Sequence, residues 1–139
     1  MRQHRGILLF GLIVLLVIGG FAYRSAAPWL YVSAHGAEAE AFACAVLAEN
    51  APAPDRCGPW PVSVWREAGV VEFHTRRSAA FGGIEKGFYY SAADAPVSFQ
   101  ATGYPLTPEG GSWSWSDPYG NYGRTGRIAP CWFWFEAVF

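Results

Sequence analysis

The chain reads as an α+β protein: an N-terminal transmembrane helix, a second amphipathic helix, and an antiparallel sheet of about four to six strands packed on it. Three observations lead there. Residues 6–23 (GILLFGLIVLLVIGGFAY) carry no charge. Between Trp29 and Leu47 apolar side chains recur at three- and four-residue steps, the spacing of one buried helix face. From residue 61 onward the pattern turns to alternation, broken by glycine- and proline-bearing turns. The chain divides accordingly into a cytoplasmic stub and anchor at 1–24 and an extracytoplasmic domain at 25–139, with its helix at 25–50 and its sheet at 61–139.

The first element is set by length and flanking charge. Eighteen residues at 1.5 Å each span about 27 Å, enough for a bilayer core. Arg2 and Arg5 precede the run and Arg24 follows it. The excess of positive charge at the start holds the N-terminus in the cytoplasm and sends the domain across. Tyr23, Trp29 and Tyr31 then lie near the outer interface, where amphipathic rings are favoured. A cleaved signal peptide is the alternative, since Gly20-Phe21-Ala22 has the small-x-small form of a cleavage site. Against it stand the length of the run and the bulky Tyr23 behind the cut. Both readings place the domain on the same side.

The second helix is expected over 25–50, capped by Ser25 and started by Pro28 in its first turn. Trp29, Val32, Ala39, Phe42, Ala43, Val46 and Leu47 form its apolar face, with Glu38, Glu40 and Glu49 elsewhere on the wheel. The stretch NAPAPDRCGPWP at 50–61, with four prolines, ends it. Strands follow at 61–66 and 70–76, joined by a tight turn at Glu67-Ala68-Gly69. Others are expected at 87–91, 97–102, 112–116 and 131–139. Residues 78–87, 103–111 and 117–126 read as loops. In the last strand Cys131, Phe133, Phe135 and Ala137 point to one side and Trp132, Trp134, Glu136 and Val138 to the other.

Composition narrows the class. Hydrophobic residues make up 52% and charged residues 15% of the 139, which excludes a disordered chain. Residues 25–139 carry seven basic and eleven acidic side chains, a balance of −4. Nucleic-acid binders need a basic footprint, so no nucleic-acid partner is expected. The order of membrane helix, amphipathic helix and antiparallel sheet is similar in layout to type IV pilins and pseudopilins. Their processing motif places a glutamate early in the apolar segment, whereas Ile7–Phe21 contains no acid, so no pilin function is carried over.

Cys44, Cys57 and Cys131 allow one disulfide on the oxidising side of a membrane. Cys44–Cys57 would pin the helix to the proline turn and contribute about 3 kcal/mol; Cys57–Cys131 is the alternative. No catalytic residue, cofactor-binding residue, cofactor or metal ligand is assigned. The motifs CxxC, HxxxH, GxSxG and GxxxxGK[ST] do not occur. An enzyme of another kind would use Cys131 as nucleophile with His74 or His35 as base. The aromatic residues are the most suggestive feature. Trp113 with Trp115, and Trp132 with Trp134, each share a strand face, and Tyr119 and Tyr122 lie in the loop between. On one exposed face they would form a stacking platform; turned inward they are core. The sequence therefore points to a single-pass envelope protein with membrane lipid around residues 6–23. Its domain is expected to be a non-enzymatic interaction or accessory module for an envelope protein partner. A glycan-binding module for the cell wall using the same Trp rows is the second reading, and a Cys/His-dependent enzyme the third.

Overall fold

The computed structural model describes residues 19, 27–49, 52–77 and 83–139. One helix, α1, occupies 27–48 and packs on a single antiparallel sheet. Among the described residues the sheet has eight strands, more than the four to six expected from the sequence. They are β1 (Arg56–Cys57), β2 (Trp60–Trp65), β3 (Val70–Arg76), β4 (Ile84–Ser91), β5 (Thr107–Glu109), β6 (Ser112–Ser116), β7 (Tyr122–Ala129) and β8 (Trp132–Val138). Among the described residues no helix is long and apolar enough to cross a membrane. The apolar run 6–23 lies, Gly19 apart, outside those residues.

The sheet is two meanders joined edge to edge. Strands β1 to β4 follow one another, β5 to β8 do the same, and β4 pairs with β8, giving the order β1-β2-β3-β4-β8-β7-β6-β5. Both outer strands are short, two and three residues, and β5 carries Pro108. Such edges offer little to a passing strand.

Alternation along the central strands makes two cores. Val62 on β2, Val71 and Phe73 on β3, Phe88 and Tyr90 on β4, and Trp132 on β8 face α1. The helix meets them with Val32, Ala39 and Ala43, while Phe42 and Leu47 pack at the flank. Phe73 and Phe88 stack at 4.9 Å and nearly parallel, a pair that adds about 0.5–1.5 kcal/mol to its area burial. The opposite face carries Val70, Tyr89, Trp115, Phe133, Phe135 and Ala137. It is covered by the connection between the meanders, residues 92–106, which inserts Phe99, Val97, Tyr104 and Leu106.

Several elements differ from expectation. Residues 97–102 are not a strand: they form a single turn at Phe99–Ala101, with Gln100 at φ 56°. Its role is to lay Phe99 on the sheet. The expected loops at 78–87, 103–111 and 117–126 contain the start of β4, all of β5 and the first five residues of β7. Turn-forming residues hid β7, whose sequence YGRTGRIA holds two glycines. Each glycine lies under an aromatic ring, Gly123 beneath Trp115 and Gly126 beneath Trp134. From Trp132 to Ala137 the sidedness of the last strand is as expected, with Phe133, Phe135 and Ala137 in one core and Trp132 in the other; Cys131, expected beside Phe133, lies before β8 in a turn with φ 63° and packs on the α1 side instead.

Candidate functional site

The two tryptophan rows do not share a face. Trp113 and Trp115 pair with Thr125 and Gly123, on the side of Phe133 and Phe135. Trp132 lies on the α1 side, and Trp134 points to that same side. Trp115 is buried and stacks on Tyr104 at 6.1 Å; Trp132 is buried against Phe73, Phe88 and Tyr90. Trp113 and Trp134 are half-buried. A joint platform is thus not formed, because successive side chains of a strand alternate and β6 and β8 present their tryptophans in opposite phase. The two tyrosines behave differently. Tyr119 is 86% and Tyr122 55% exposed. Their loop is held by Asp117, whose carboxylate accepts from Tyr119 N at 2.8 Å, Asn121 N at 2.9 Å and Asn121 Nδ2 at 2.8 Å. These bonds outweigh desolvation and keep the Asp117 carboxyl below its usual range.

The expected Cys44–Cys57 disulfide is absent; all three cysteines are free thiols. Cys44 Sγ sits 3.5 Å from Tyr90 Oη. Cys57 sits instead beside the Tyr31 hydroxyl. Tyr31 and Cys44 are thirteen residues apart on α1, about 20 Å along its axis, and a disulfide needs Cα atoms within about 7 Å. The Cys57–Cys131 alternative fails likewise, since Cys131 lies at the Tyr90 end, its carbonyl accepting from Ser91 N at 2.8 Å. Nor do Cys131 and His74 meet. His74 is level with Gly87 on β4, four residues or about 13 Å from Ser91. Cys131 also packs against the α1-side core, whereas His74 points to the other face. His35 is exposed on α1 beside Tyr31 and Glu38.

What the structure does gather is a polar cluster on the face away from α1. Strands β2, β3 and β4 bring Ser63, Glu72, His74 and Glu85 together, and Arg77 follows directly after β3. Ser63 Oγ and His74 Nε2 are 3.0 Å apart. On the other ring nitrogen, His74 Nδ1 faces Glu85 Oε2 at 3.4 Å, and both atoms are buried without an aligned hydrogen bond. Arg77 Nη2 reaches Ser63 Oγ at 3.4 Å and its Nε lies 3.9 Å from Glu85 Oε2. Phe135 and Phe99 meet the imidazole edge to face at 5.6 and 6.4 Å. Glu72 is fully covered; it accepts from Trp65 Nε1 at 2.9 Å and from Gln100 N at 2.7 Å.

Burial dominates the protonation of this cluster. It lowers His74 to about 4, with the Arg77 charge acting in the same direction. Desolvation raises Glu72 to about 7 despite the two hydrogen bonds from Trp65 and Gln100. Glu85 is raised by burial and partly lowered by Arg77. At neutral pH the imidazole is therefore uncharged. Among the described residues no group of three or more His, Cys, Asp or Glu converges to hold a metal ion. The Glu72 and Glu85 carboxyls sit nearest different nitrogens of the His74 ring, so they share no common point with it. Next to Trp65 an open groove of about 280 Å³ is lined by Val64, Trp65, Arg66, Glu67, Ala68 and Ala101.

Sequence reasoning missed this cluster because its members are spread over three strands between positions 63 and 85 and match no short motif. The available signal was the alternation in VVEFHTR, which sets Glu72 and His74 on one face of β3. Compared with known proteins, the chain matches no family model, no curated protein and no solved structure.

Proposed function

We propose that the chain is a single-pass membrane-anchored envelope protein whose sheet domain is held close to the outer face of the membrane as an accessory or interaction module. One observation carries this reading. Trp29 and Leu30, in the first turn of α1, are 46% and 52% exposed although they are large and apolar. They follow the uncharged run 6–23 by only a few residues. Such side chains at the end of a helix nearest a bilayer suit the headgroup interface. The domain presents Tyr119 on a braced loop and Tyr122 at the start of β7, and an envelope partner, protein or glycan, is contacted there. Rigid exposed aromatic rings supply contact area at low entropic cost.

The test uses Cys44, the exposed thiol of α1. Full-length protein is expected to stay in the membrane pellet through alkaline carbonate extraction. A membrane-impermeant maleimide should label it in cells whose inner membrane is intact. Release by carbonate removes the anchor, and labelling only after lysis places the domain in the cytoplasm. Binding of the purified domain to isolated wall polymer, lost in Tyr119→Ala with Tyr122→Ala, separates a glycan partner from a protein one.

A further inference from the structure

We propose that Ser63 is a nucleophile toward small carboxylic esters, with His74 as its base, Glu85 as the residue that positions His74, and Arg77 facing the ester carbonyl oxygen. This goes beyond the contact role above and does not rest on it. It also departs from the non-enzymatic reading of the sequence.

The geometry supplies each part. A serine hydroxyl needs a base within hydrogen-bond reach and a third group to orient that base. Ser63 Oγ lies 3.0 Å from His74 Nε2, and Glu85 Oε2 lies 3.4 Å from Nδ1. Glu85 favours the tautomer that carries its proton on Nδ1, which leaves Nε2 to accept from Ser63. The Nδ1 and Glu85 Oε2 atoms are both buried and neither makes an aligned hydrogen bond, although the Arg77 charge also lies 3.9 Å from Oε2. Two such atoms facing each other are costly unless they pair. They pair fully when the ring becomes charged, which is the moment of attack; contacts of this kind often tighten only when substrate is bound.

A β-bulge completes the arrangement. The register between β3 and β4 shifts between His74 and Arg76, so that Arg76, not Thr75, pairs with Lys86. Thr75 turns aside and donates to Lys86 O at 3.1 Å. Without that extra residue Arg77 would project to the α1 face. With it Arg77 joins Ser63 and Glu85, 49% exposed, and offers an N–H donor beside the nucleophile. Donors placed where negative charge develops are the largest single contribution in many acyl transfers. Ser63 is half-buried, and Trp65, two residues on and on the same face, borders the open groove.

The steps balance without any redox partner. Ser63 Oγ adds to the ester carbonyl carbon as its proton passes to His74 Nε2. The bond to the alcohol oxygen breaks and the alcohol leaves with that proton, so the acyl group stays on Ser63. Water then adds to the acyl carbon, giving a proton to His74, and the acid leaves as Ser63 recovers it. Buried beneath Phe99 and Phe135, His74 is a weak base, so turnover is slow and a covalent probe is the better readout.

Full-length protein in detergent is treated with a fluorophosphonate, and the modified peptide is mapped by mass spectrometry. Ser63 should carry the phosphonate, and Ser63→Ala should carry none at that peptide. His74→Gln should slow labelling on the order of 10²-fold, and Arg77→Lys should retain part of the rate that Arg77→Ala loses. Glu85→Gln should label more slowly and move the pH midpoint of labelling down, because the charged imidazole loses its neighbour. Glu72 and Arg77 also face that ring, and both are kept in this variant. Folded wild-type protein with Ser63 unmodified, or labelling of other serines at equal rate, overturns the proposal, and neither result depends on a variant folding.

Discussion

The indole of Trp134 lies flat against Gly126 on the neighbouring strand, where a Cβ would come within 2.5 to 2.8 Å of Nε1, Cε2 and Cζ2. Real Cβ atoms do not approach that closely, so the glycine is demanded by the ring above it. Gly126→Ala should cost about 1–3 kcal/mol through overpacking. Urea unfolding measures it. The cost should shrink when Trp134→Ala is added, because the obstacle is then gone; additive losses would show that the pair does not meet.

Stability should peak on a plateau in mildly acid solution. Glu72 is raised from 4.5 to about 7, so its contribution is full below pH 4.5 and is lost as pH rises through 7. His74 is lowered from 6.5 to about 4, so its contribution is full above pH 6.5 and is lost as pH falls through 4. The two slopes oppose each other between 4.5 and 6.5. Urea midpoints across that range should change little and should decline on both sides. Glu72→Gln should lower stability at every pH, since its amide meets the Trp65 or Gln100 donor, and should flatten the alkaline decline.

On the same face, the Tyr89 hydroxyl joins two chain segments. It lies 2.8 Å from Thr125 Oγ1 and accepts from Val97 N at 2.9 Å. Burial is the main cause of its pKa being pushed up to about 12. Tyr89→Phe leaves the Val97 amide without its acceptor and should cost about 1–3 kcal/mol. Hydrogen exchange at Val97 should rise more than elsewhere, because that amide ties the covering connection to the sheet.

Ala43 is wholly buried where α1 crosses the sheet, whereas Ala45 is exposed. Ala43→Leu should destabilise by about 1–3 kcal/mol by pushing the helix off Phe73. Ala45→Leu should stay within about 0.5 kcal/mol of the parent. Equal thermal midpoints for the two variants would contradict the packing described.

Local pattern was enough for α1 and for most central strands. The apolar spacing from Val32 to Val46 stands out because α1 buries one face only, and the alternation in VVEFHTR and CWFWFEAVF needs no partner to be read. Strand β7 was illegible because its glycines look like turn residues until Trp115 and Trp134 are laid over them. The Phe99 turn was illegible for the converse reason: VSFQAT alternates like a strand, yet its job is to cover one.

By itself, then, the sequence determined a helix followed by an antiparallel sheet and the sidedness of β8, since these rest on the local geometry of the backbone. Only the tertiary structure decided that there are eight strands, that the tryptophan rows lie back to back, that Cys44 stands apart from Cys57, and that Ser63, His74, Glu85 and Arg77 meet. The physical reason is that each depends on register. A one-residue bulge beside His74 changes which face a side chain joins, and register is set by pairing across strands, which the order of residues along one strand does not contain.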